Sequence, residues 1–229
     1  MVASIALPVL ILTTIGTDGK RHAGATSPAP ASRLLPAGPP DPEVIALQGR
    51  LRIYLPITQS RITAIGYRAV GDGALPLDPV GVQANAGLFT RLLNRLFGEE
   101  EGGLRYFLLG GGTGAETAGL DVGAPVDTNV YAPVDGTVVG ISDQVLDGQP
   151  IGNTIDIQPS GSPGLVLSIS NLRHDPALTV GSTVARSRTK IGRVVDTSAF
   201  ERAALARYTQ DRGQHVHLET RPTLNLLLP

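Results

Sequence analysis

The residues of this 229-residue chain best suited to chemistry lie near its carboxyl end, in His215-Val-His217-Leu-Glu219. Side chains alternate along an extended strand, so both imidazoles and the carboxylate would share one face. Two imidazoles on one face suit a zinc site, and they also suit proton transfer. A structural pair of histidines would have the same spacing. His22 falls in a Pro- and Ala-rich stretch, and His174 precedes Asp175-Pro176, a turn expected to leave it in solvent. The chain has no cysteine, which excludes disulfides, thiolate zinc sites and a cysteine nucleophile. The loop from Gly110 to Gly114 lacks the Lys-Ser/Thr ending and the long following helix of a phosphate cradle. A formal net charge of −1 gives no electrostatic footprint for nucleic acid.

These residues need strands to position them, and the sequence offers many. Val130-Tyr131, Gly136 to Ile141, Thr154 to Ile157, Leu165 to Ile169, Gly192 to Val195 and His215 to Thr220 are apolar runs broken by Gly and Pro. Their spacing predicts a mainly β fold, an antiparallel sandwich or barrel. Tyr106 to Leu109 opens this domain, placed at 104–222, and Phe200 to Tyr208 reads as a short helix within it. Ahead of it, residues 44–103 read as a small α+β extension. Two strands are expected there, at Leu51 to Leu55 and Ile62 to Tyr67, followed by an amphipathic helix. Leu88, Phe89, Leu92, Leu93, Leu96 and Phe97 recur at helical spacing, with a break at Gly98 to Gly103. Residues 17–43 read as a Pro/Ala-rich linker with too little apolar content to fold. Residues 1–16 carry an apolar run too short for a spanning helix but suited to a signal or membrane-anchor segment. They predict an extracytoplasmic protein, secreted or held at the bacterial cell membrane.

Several motifs occur in an order that resembles the LytM/M23 family of zinc peptidases. Thr117-Ala-Gly119-Leu-Asp121 is similar to the family's His-x-Gly-x-Asp. Val130-Tyr-Ala132-Pro-Val-Asp135-Gly136-Thr-Val138 resembles its Asp-Gly hairpin. Ile151-Gly152-Asn153-Thr-Ile155-Asp-Ile157 resembles its Gly-Asn strand. Ile169-Ser-Asn171-Leu172 falls where the family has Tyr-x-His-Leu. Leu178 to Val184 and Lys190-Ile191-Gly192 match further steps, and His215-Val-His217 matches the His-x-His. The resemblance covers 104–222 and implies a β groove of the duplicated hybrid motif type. At its floor Asp121 and His217 would stand in metal-ligand positions and His215 in a catalytic one.

Two positions depart from the pattern. Thr117 replaces a histidine ligand, and Asn171 replaces a catalytic histidine. A neutral hydroxyl is a poor zinc ligand, and an amide can donate to an oxyanion or a bound peptide but cannot carry a proton. Any zinc site would therefore be weak, and Thr117→His alone should raise its affinity. Glu116 should face away from Thr117 on a strand, so neither it nor His174 is expected to fill the gap.

The leading expectation is an exported, noncatalytic M23-like module that binds peptidoglycan or a cell-wall enzyme. In it Thr117 and Asn171 would line the binding groove, and the membrane would be met only through the N-terminal segment. The alternative is an active zinc endopeptidase that cleaves peptidoglycan crosslinks with an atypical ligand set. A third class, biotinyl or lipoyl carriers and sugar-phosphotransferase domains, shares the turn Tyr131 to Val138. Neither Lys20 nor Lys190 sits at a suitable hairpin tip, however, and the paired histidines are missing.

Overall fold

Strand β9 (Gly136–Leu146) turns at Asp147-Gly148 into β10 (Gln149–Pro159), giving the longest hairpin of the fold. Both turn residues have positive φ, 51° and 77°, as a two-residue hairpin matching strand twist requires. Asp-Gly is the dipeptide that accepts this geometry. The computed structural model describes residues 38–71, 73–86, 103–110, 113–198 and 203–223. The expected signal segment, most of the linker and the amphipathic helix lie outside the described residues.

Fourteen strands occur among the described residues. Those not yet named are β1 (Val44–Gln48), β2 (Leu51–Tyr54), β3 (Ile65–Arg68), β4 (Asp78–Pro79), β5 (Val82–Gln83), β6 (Arg105–Leu108), β7 (Gly119–Gly123), β8 (Asn129–Tyr131), β11 (Leu165–His174), β12 (Thr183–Val184), β13 (Lys190–Val194) and β14 (His215–Pro222). The main sheet runs β12-β9-β10-β11-β14-β7-β3-β6-β5, and β13 links β11 to β8. A smaller sheet has the order β2-β1-β4. The mainly β expectation is met, with a local difference: β6 pairs in parallel with both β3 and β5. The expected helix at Phe200 to Tyr208 is, where described, a 3-10 turn at Ala204–Arg207.

Strands from both sides of residue 103 share the main sheet, because β3 pairs antiparallel with β7. β3 and β5, from the stretch ahead of residue 103, therefore help to build the sheet that carries the site. Cross-links tie the small sheet to it: Tyr54 N–H donates to Pro133 O at 2.9 Å, and Tyr131 N–H donates to Pro56 O at 2.7 Å. One buried cluster lies between them, including Ile45, Ile53, Leu55, Tyr67, Leu120, Val138, Ile155, Ile169 and Leu218. Burial of this apolar surface is the main favourable term for folding. It fixes β7 and β14 at the centre of the sheet.

Candidate functional site

The site is assembled by register. On β14, His217 pairs directly with Asp121 of β7, and on β11 Ser170 pairs with His217. On β3, Arg68 pairs with Gly119, which places it diagonal to Asp121 and within reach of a long side chain. All four chain segments thus meet at one point of the sheet. The expectation that Asp121 and His217 lie within ligand reach can be read directly: His217 Nδ1 is 2.6 Å from Asp121 Oδ1.

Asp121 is almost wholly buried. Burial pushes its carboxyl up, but His215, the hydrogen bond from His217 and the Arg68 charge together hold it well below the usual carboxylate range. Arg68 Nε lies 3.0 Å from Oδ2 and donates to Oδ1 at 3.3 Å, so the guanidinium straddles the carboxylate and shares Oδ1 with His217. Burial likewise disfavours the His217 imidazolium, yet the hydrogen bond to Asp121 and the Glu219 carboxylate 3.8 Å away outweigh it and raise the pKa. Glu219 is lowered to about 2, chiefly by the His217 ring 3.8 Å away and then by Arg221, whose Nε lies 2.8 Å from Oε1. The result is one chain of alternating charge, Arg68–Asp121–His217–Glu219–Arg221.

A second network holds His215. Its Nδ1 donates to Gly213 O at 2.8 Å, and its Nε2 lies 3.2 Å from the Asn171 amide nitrogen. Asn171 Oδ1 accepts from Gln144 Nε2, and Asn171 N–H donates to Gln144 Oε1 at 2.8 Å. Every polar atom of these two amide side chains that faces the network has a partner of the right sense. Asn171 sits at a β-bulge, where the β10–β11 register shifts between Asn153 and Ile155, and its φ is 61°. Bulges re-aim a side chain, and this one turns Asn171 onto His215.

The structure therefore brings together Asp121, His215, His217 and Asn171. Thr117 occupies the turn before β7, half-buried, with its carbonyl accepting from Leu77 N–H. Its hydroxyl makes no hydrogen bond among the described residues. Glu116 is exposed in the same turn, so strand alternation does not govern it as expected. His174, expected in solvent, is partly buried, with Nδ1 3.1 Å from Asn153 Oδ1. Sequence reasoning missed Arg68 and Gln144. Neither has a local signal, since Arg68 lies 53 residues from Asp121 and Gln144 lies 27 from Asn171.

The residues present do not fit zinc. Two ligand atoms at ~2.05 Å from a tetrahedral ion stand about 3.3 Å apart, whereas Asp121 and His217 are in direct hydrogen bond at 2.6 Å. A guanidinium, which does not lose its proton, lies against the same carboxylate and has Nη2 3.4 Å from His217 Nδ1. Among the described residues no group of three or more His, Asp or Glu is arranged to hold a metal. Thr117→His alone would thus add a ligand to a site that already holds a cation, so the expected gain in affinity does not follow.

No family model matches the chain, and no curated protein matches it. Among solved structures it is similar to pseudoalterin, an M23 metalloprotease from the deep sea, at 16% identity over 76% of this chain and 72% of that one, with a TM-score of 0.38. It is also similar to a chain of the SpoIIQ–SpoIIIAH pore-forming complex, at 17% identity over 74% and 83%, with a TM-score of 0.39. For lysostaphin the values are 18% identity, 46% of this chain and a TM-score of 0.35, and the chain spans only 36% of lysostaphin's length. The ordered motifs, together with the pairing of β14 with β7 that sets His217 opposite Asp121, make the described unit an M23-like β fold.

Proposed function

We propose that this protein is an exported, noncatalytic M23-like module that binds peptidoglycan peptides or a cell-wall enzyme. The observation that carries this reading is the closed ion-pair chain through Asp121 and His217. Hydrolysis of the M23 kind needs a metal with an open position to activate water, and here Asp121 and His217 are bonded to each other while Arg68 pairs with the same carboxylate. Asn171 supports the same reading, because an amide can hold a peptide carbonyl or His215 but cannot move a proton. Export is supported by the apolar run of residues 2–16 and the Pro/Ala-rich stretch after it.

The test is incubation of the purified protein with isolated peptidoglycan sacculi, with and without added zinc. The expected result is co-sedimentation of protein with sacculi and no release of peptide fragments. Fragment release that a chelator stops and zinc restores would establish the endopeptidase instead.

A further inference from the structure

Arg68 lies outside the stretch that carries the family resemblance, yet β3 delivers it to the centre of that stretch's site. The geometry points to Arg68 as a resident cation, a guanidinium contributed by the N-terminal segment that stands against the bonded Asp121–His217 pair in place of a metal. This rests on the noncatalytic reading and extends it, by giving residues 44–103 a task and by giving the reason the site needs no ion.

Three observations carry it. First, a carboxylate with 1% exposure must be neutralised, metal-bound or paired. Arg68 Nε pairs with both oxygens, 3.0 Å from Oδ2 and 3.3 Å from the Oδ1 that His217 also bonds, so it is the one cation in contact with Oδ2 among the described residues. Secondly, room for the arrangement is made in the backbone. A Cβ at Gly119 would lie 2.6 Å from His217 Cε1 and 3.5 Å from Arg68 Cγ. The missing side chain lets the imidazole and the arginine stem pass on the same side of β7. Thirdly, the position is fixed by strand pairing. β3 bonds β7 along four residues, from Ile65 opposite Val122 to Arg68 opposite Gly119, so the guanidinium is set by the sheet rather than by a loop. A divalent ion added here would meet a fixed like charge within a few ångströms, at a partly buried site where screening is weak.

Four variants test this by thermal melts at neutral pH and by the zinc retained after dialysis: Arg68→Lys, Arg68→Met, Thr117→His, and Arg68→Met with Thr117→His. Arg68→Met should lower Tm by roughly 5–10 °C, the loss of one of the two partners of a buried carboxylate, reduced for the 28% exposure of the arginine. Arg68→Lys keeps the charge and should retain more than half of that stability. Thr117→His should hold no zinc. The double variant should hold near-stoichiometric zinc and gain Tm when zinc is added, because Asp121 and His217 are then free to ligate.

The inference is overturned if Arg68→Met melts with the wild type, or if Arg68→Lys falls as far as Arg68→Met. It is equally overturned if Thr117→His takes zinc with Arg68 in place, or if the double variant takes none. None of these readouts uses peptidoglycan, so the noncatalytic reading stands or falls separately on the sacculus assay.

Discussion

Asn171 holds its backbone at φ 61°, a region that asparagine enters more readily than most residues. Its side chain then spans Gln144 and His215. The motif resemblance marked Asn171 as a departure from the family pattern but did not reveal what the amide does. The bulge and Gln144 come from the pairing of β9, β10 and β11, which no local pattern specifies. Removing the amide should take away the partner of Gln144 Nε2 and of the buried His215 Nε2, while Asn171 N–H still holds Gln144 Oε1. Asn171→Ala is therefore expected to cost about 1–3 kcal/mol, read as a fall of several degrees in Tm. A melt indistinguishable from wild type would mean that the network contributes nothing. Arg68 was illegible for a related reason: an arginine ending a short strand is common, and only the β3–β7 register shows what it faces.

At the level of elements, alternation was a good guide where strands are long and half-buried. β2, β11 and β14 fall where apolar residues recur, and β14 places His215, His217, Glu219 and Arg221 along one face. β7 was readable as a motif but not as a strand. Its ends are Gly119 and Gly123, and all five of its residues are buried, so there is no polar face to alternate with. β9 and β10 outrun their apolar cores because the Asp147-Gly148 turn extends the hairpin through Ser142, Asp143 and Gln144. That extension is what brings Gln144 to Asn171. Gly119 is the position in β7 with least tolerance, since a Cβ there would also approach Val70 Cγ1 at 2.5 Å. Gly119→Ala should cost about 1–3 kcal/mol through overpacking and displace the His217 ring. Histidine ring resonances recorded with and without the substitution check this: a shift confined to residues other than His217 would contradict the packing argument.

Across the molecule, the ion-pair chain makes stability depend on pH in a defined direction. Asp121 and Glu219 are depressed, so their contribution is present above their ordinary values of 3.8 and 4.5 and is lost as pH falls through the folded values. His217 is raised, so its contribution is complete below 6.5 and is lost as pH rises through its folded value. Both are intact together between about pH 4.5 and 6.5. Thermal melts across pH 3 to 9 should give a Tm that is highest in that window and declines on both sides. A Tm that climbs steadily through neutrality would contradict the charge assignment of His217.

The central claim is that Arg68, and not a metal, completes the site around Asp121 and His217. Its most direct test is the zinc content of the unmodified protein after incubation with excess zinc and exhaustive dialysis, measured by elemental analysis against protein concentration. The predicted result is zinc far below one ion per chain, with a melting curve that zinc does not move. One tightly held ion per chain, with a zinc-dependent rise in Tm, would contradict it.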